Sequence, residues 1–81
     1  MEKYHLMGIV VDRRKKQAPN VQEVLTKYGD IIKNRIGLHE GYTEDNEGFI
    51  ILTLMNSENR IKELKGELSE IDGVKAKALK I

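Results

Sequence analysis

Few side chains in this sequence are equipped to do chemistry. His5 and His39 are its two imidazoles, Ser57 and Ser69 its two serines, and it has no Cys. A metal site would need both histidines together with a carboxylate such as Glu40, and nucleophilic catalysis would need a serine with a histidine placed as its base. Glu44, Asp45 and Glu47 lie close together in the chain. They could form an acid–base pair, but acids bounded by glycines read first as a solvated turn. Asp12 is followed by four consecutive cations, Arg13, Arg14, Lys15 and Lys16. Such a run ahead of a helix can hold an anion with its charges and the helix's free N–H groups, and its plainer expectation is a solvated connection.

The elements that would position these groups follow from composition and periodicity. The 81 residues are sized for one domain, 1–81, with 40% hydrophobic and 33% charged residues. Fourteen Lys+Arg against thirteen Asp+Glu leave a net charge of +1 and a pI of about 8.0, without the basic excess of a nucleic-acid coat. The apolar runs at 9–11 and 49–52 fall far short of the roughly 20 residues of a membrane helix, and the N-terminus lacks a secretory pattern, so a cytoplasmic protein is expected. Without Cys, stability must come from the core, and the small size makes a partner worth looking for.

Residues 3–12 form a mostly apolar, β-rich run. Ala18, Val21, Val24, Leu25 and Tyr28 then recur at helical spacing, with a start at Pro19 or Asn20 and a stop at Gly29. Residues 31–40 alternate imperfectly, with Ile32, Ile36 and Leu38 on one side and Lys33, Arg35 and His39 on the other. A polar connection over 41–48 leads to the apolar run 49–55, which makes a hairpin. Ser57 offers an N-cap, and Ile61, Leu64, Leu68 and Ile71 form the stripe of a second helix, stopped at Gly73. Gly66 within that helix costs about 1 kcal/mol relative to Ala, which points to a close packing contact. Residues 74–81 alternate as a last strand.

The order βαββαβ is the α+β, ferredoxin-like plan. Right-handed crossovers set an antiparallel sheet of order 4-1-3-2 with both helices on one face. His5 and His39 then lie about 10 Å apart on strands separated by a third, which argues against a metal site within one chain, leaves open one shared between subunits with Glu40, and reads first as two surface histidines; neither serine has a histidine as base. Neither helix carries the cationic face needed to read DNA. The uncovered sheet face should be polar in a monomer, yet Met7, Ile9, Val11, Phe49, Ile51 and Met55 are expected to form an apolar strip there. Such a strip predicts packing against another copy, as a dimer or tetramer.

Gly8-Ile9-Val10-Val11-Asp12-Arg13, the run Tyr28-Gly29-Asp30-Ile31-Ile32-Lys33-Asn34-Arg35-Ile36-Gly37, Leu64-Lys65-Gly66-Glu67-Leu68 and Asp72-Gly73-Val74-Lys75 together resemble the regulator family of the iron-only hydrogenase system. The resemblance covers nearly the whole chain. It implies a ferredoxin-like, ACT-type regulatory fold, related in architecture to the C-terminal domain of nickel-responsive repressors, that associates through its sheets. Those repressors hold nickel with clustered His and a Cys, so nickel sensing is not implied here, and without a DNA-binding arm direct repression would need a separate protein. ACT-like domains bind small effectors near the loop after the first strand, at a subunit interface. By position this implies Asp12, Arg13, Arg14 and Asn20 as ligand-binding residues. The expected function is a non-catalytic, oligomeric regulatory module without cofactor or metal, sensing a small molecule or docking on a partner protein. The alternatives are a small enzyme with a shared interface pocket and a nucleic-acid accessory protein.

Overall fold

Alternation along β1 (His5–Val11) separates two sets of side chains: His5, Met7, Ile9 and Val11 are buried, and Leu6, Gly8 and Val10 between them are half-buried. The computed structural model describes residues 5–12, 14–38 and 47–81, with the backbone alone at 14–16 and 38. The chain continues through α1 (Arg14–Lys27), β2 (Ile32–Leu38), β3 (Gly48–Leu54), α2 (Glu58–Ser69) and β4 (Val74–Lys80). The four strands lie in the order β2-β3-β1-β4, and every pair is antiparallel. This is the expected α+β topology, read from the opposite edge. No helix of the described residues is long and apolar enough to cross a membrane.

Val21 and Leu25 of α1 and Ile61, Leu64 and Leu68 of α2 share one core cluster with Met7, Ile9, Val11, Leu52 and Leu54 of the central strands. The stripe on α2 is the one its spacing predicts. On α1 the helix begins five residues before Pro19, and the buried side of its first turns is held by Gln17, only 7% exposed. A polar residue in the apolar phase hides a helix start from a reading based on hydrophobic periodicity.

The helix layer corrects the expected faces. Met7, Ile9 and Val11 are 0%, 0% and 2% exposed, and lie under the helices rather than on the uncovered face. Leu6 and Val10 take their place on that face, because a strand apolar in both phases fits its larger, uninterrupted set into the core. The other phase is broken by Gly8, where an added Cβ would meet Cε1 of Phe49 at 3.6 Å, so that the Phe49 ring covers the glycine. A register shift between Ile32 and Asn34 explains the imperfect alternation of β2. Ile32 is opposite Leu54 and Arg35 opposite Leu52, in the phase of the core, whereas Ile36 is opposite Ile51.

Gly73 ends the α2–β4 turn at φ 81°, a left-handed conformation suited to glycine. Its carbonyl accepts a 2.8 Å hydrogen bond from the Asp12 N–H, which ties the end of β1 to the start of β4.

Candidate functional site

The Asp12–Gly73 tie forms the base of a groove of about 290 Å³ at the carboxyl end of β1. Val10 and Asp12 contribute from β1 and its exit, Glu47 from ahead of β3, and Gly73, Val74 and Lys75 from the start of β4. The wall thus combines two carboxylates, one ammonium group and backbone polar groups beside apolar Val10 and Val74. Such a mixed lining can orient a small polar molecule through a few directed contacts.

Of the residues expected to bind a ligand, Asp12 lines this groove. Arg13 lies outside the described residues, and Arg14 opens α1 rather than standing in a loop. Asn20 lies farther along α1, where its Nδ2 donates to Oε1 of Gln17 at 2.9 Å, and it is not among the groove's lining residues. Glu47, read from the sequence as part of a solvated turn, belongs to the groove wall. Only the pairing of β3 and of β4 with β1 reveals Glu47 and Lys75 as neighbours of Asp12, since no local pattern links them.

The uncovered sheet face can be followed row by row across the strands. Leu79, Leu6 and Thr53 are cross-strand neighbours, then Lys77, Gly8, Ile51 and Ile36, then Lys75, Val10 and Phe49. Ile36 and Leu79 are 57% and 59% exposed. Asn34 Nδ2 donates to Thr53 Oγ1 at 3.2 Å in the first row. The face is apolar at the centre of these rows, and their lysines, Lys75 and Lys77, stand on the β4 margin. Two of its residues, Val10 and Lys75, also line the groove. Phe49 and Ile51 stand in the phase expected for them, while Met55 follows β3 and is 47% exposed.

Of the histidines and serines, the structure describes His5, Ser57 and Ser69. His5 is not a surface residue: it is 4% exposed, and its Nε2 bonds Oδ1 of Asn56 at 2.9 Å, at the opposite end of β1 from Asp12. His39, Glu40, Glu44 and Asp45 lie outside the described residues. Ser57 occupies the N-cap position of α2 without a side-chain cap hydrogen bond, and Ser69 is exposed in its last turn. Among the described residues no group of three or more His, Cys, Asp or Glu could hold a metal ion. The helix layer has no close contact at Gly66, where an added Cβ would meet nothing within 4 Å, contrary to the expected packing role.

A polar clasp joins the end of α1 to α2, and nothing in the local sequence announces it. Arg60 donates to both oxygens of Asp30, at 2.8 and 2.9 Å, and its guanidinium lies 5.1 Å from the centre of the Tyr28 ring. The Tyr28 hydroxyl donates to Glu67, which Lys27 also approaches at 3.0 Å. The hydrogen bond to Glu67, and then burial, push the Tyr28 phenol up to about 12. The same bond, followed by that from Lys27, holds the Glu67 carboxyl below its ordinary range. Arg60 does likewise for Asp30. At the start of α2, an ion pair with Lys80 holds Glu58 below its ordinary range.

A search of the curated proteins finds no match. Among solved structures, the chain is similar to the uncharacterized protein TM1266 from Thermotoga maritima, at 30% identity and a TM-score of 0.86, over 100% of this chain and 99% of that one. It shares the fold of the ACT domain from the GTP pyrophosphokinase of Chlorobium tepidum, at 15% identity, TM-score 0.75 and coverage of 98% and 100%. It also shares the fold of a PII-like signaling protein from Thermus thermophilus, at 20% identity, TM-score 0.61 and coverage of 98% and 87%. A family model described as "Iron-only hydrogenase system regulator, putative" matches residues 3–78. With that match spanning almost its whole length and the ACT-like sheet built as described, the chain belongs to the TM1266-like family of iron-only hydrogenase system regulators.

Proposed function

We propose that the protein is a non-catalytic regulatory module of the iron-only hydrogenase system, a single domain that works as a homo-oligomer and responds to a small effector or a docked protein. The observation that carries this role is the uncovered sheet face, apolar through Leu6, Val10, Phe49, Ile51 and Ile36. Exposed apolar patches of this kind are typical of association surfaces. A second copy of the same face is a suitable cover, since its apolar centre is self-complementary and Lys75 and Lys77 stand at its β4 margin. Because Val10 and Lys75 belong to both face and groove, a copy packed there would border the groove, and occupation of the groove would act on assembly.

Sedimentation equilibrium tests the role. The expected wild-type mass is a small multiple of the 9.3 kDa chain, with Leu6→Lys plus Ile51→Lys giving a folded monomer by circular dichroism. A wild type that stays monomeric at micromolar concentration would end the proposal.

A further inference from the structure

A second concavity lies at the other end of the sheet, between α2 and β4, and it is independent of the groove at Asp12. Its volume is about 240 Å³, below the roughly 300–1,000 Å³ usual for drug-sized ligands, so it suits a smaller molecule. Ile61, Ala78 and Leu79 supply apolar surface. His5, 96% withdrawn from solvent by its 4% exposure, contributes to the wall. Glu58, Lys62 and Lys80 complete it.

The polar groups are unequally committed. Glu58 pairs with Lys80, and Lys62, one turn along α2, adds its charge to the field that holds Glu58 below its ordinary range without an ion pair of its own to any described residue. The oxygen of Asn56 can only accept, so His5 Nε2 carries the proton of that hydrogen bond. In the tautomer with its proton on Nε2, the imidazole keeps a lone pair on Nδ1, for which no hydrogen-bond partner is found among the described residues. A buried acceptor left unpaired costs free energy that a donor on a ligand would recover.

We propose that this groove binds a small aliphatic hydroxycarboxylate. The carboxylate meets Lys62, the hydroxyl donates to His5 Nδ1, and the aliphatic chain lies on Ile61, Ala78 and Leu79. The three demands together set the class: an apolar molecule leaves Lys62 and the imidazole unused, and a simple anion leaves the apolar wall wet.

Titration of the intact protein with 2-hydroxy-4-methylpentanoate, followed by methyl and imidazole NMR signals, is the test. Saturable shifts are expected at Ile61, Ala78, Leu79 and the His5 ring. Affinity should fall about tenfold for Lys62→Met, an exposed change that keeps the apolar stem, and about tenfold for 4-methylpentanoate, which lacks the hydroxyl. Absence of saturable shifts at these residues overturns the site. Unchanged affinity in Lys62→Met overturns the carboxylate contact, and equal affinity for the two acids overturns the role of His5.

Discussion

Gly73 shows how one residue can hold two strand ends. At φ 81°, with the Asp12 backbone oxygen 3.4 Å from where a Cβ would stand, the position penalises any side chain. Gly73→Ala is expected to cost about 1–2 kcal/mol, measured by urea denaturation, since a left-handed backbone disfavours L-residues by that amount. Tyr28 makes a prediction of another kind. Its phenol is raised from an ordinary 10.0 to about 12 in the folded protein, so the hydrogen-bonded, protonated form stabilises the fold fully below pH 10. That contribution should disappear as pH rises from about 10 to about 12. Thermal melts across this window should show a steeper alkaline decline for the wild type than for Tyr28→Phe. The place of Asp12 at the exit of the first strand was legible in the sequence, whereas the burial of His5 was not, because its imidazole sits in the core phase of a strand apolar in both phases.

Elements add what single residues cannot. The α1–α2 clasp through Asp30, Arg60 and Glu67 uses carboxyls held below their ordinary range, chiefly by Arg60 and by Tyr28. Their contribution is present above the ordinary carboxylate range and is lost as pH falls through the lowered values. Arg60→Gln should therefore flatten the acid limb of the stability profile, and added salt should do so in part, because these groups are exposed enough to be screened. Gly66 predicts the opposite sign. In mid-helix, with open space around its missing Cβ, Gly66→Ala should stabilise the protein by about 1 kcal/mol, read as a raised denaturation midpoint. The stripe of α2 was readable because its apolar residues keep helical spacing. The start of α1 was not, because Gln17 carries the buried phase there and Pro19 suggests a start where the helix is already under way.

For the whole molecule, the two faces of the sheet provide a paired test. Ile9→Lys places a charge among Met7, Leu52 and Leu64 in the closed core and should cost more than about 4 kcal/mol, enough to unfold a chain of this size. Ile51→Lys, on the uncovered face, should leave the monomer folded and act on association, a difference that circular dichroism and sedimentation report together. The sequence by itself determined the six elements, their order in the sheet and the presence of more apolar strand surface than two helices can cover, since periodicity and the handedness of crossovers are local or nearly local properties. Which apolar set met the helices was decided only by tertiary packing. β1 is apolar in both phases, and the choice depends on the shape of what packs on each side: an unbroken His5, Met7, Ile9, Val11 series under the helices, and a Gly8 gap filled by the Phe49 ring on the other face. The pairing of β3 and β4 with β1 brought Glu47 and Lys75 to Asp12, and the approach of α2 to the end of α1 brought Arg60 to Asp30, across distances in sequence that no periodicity spans.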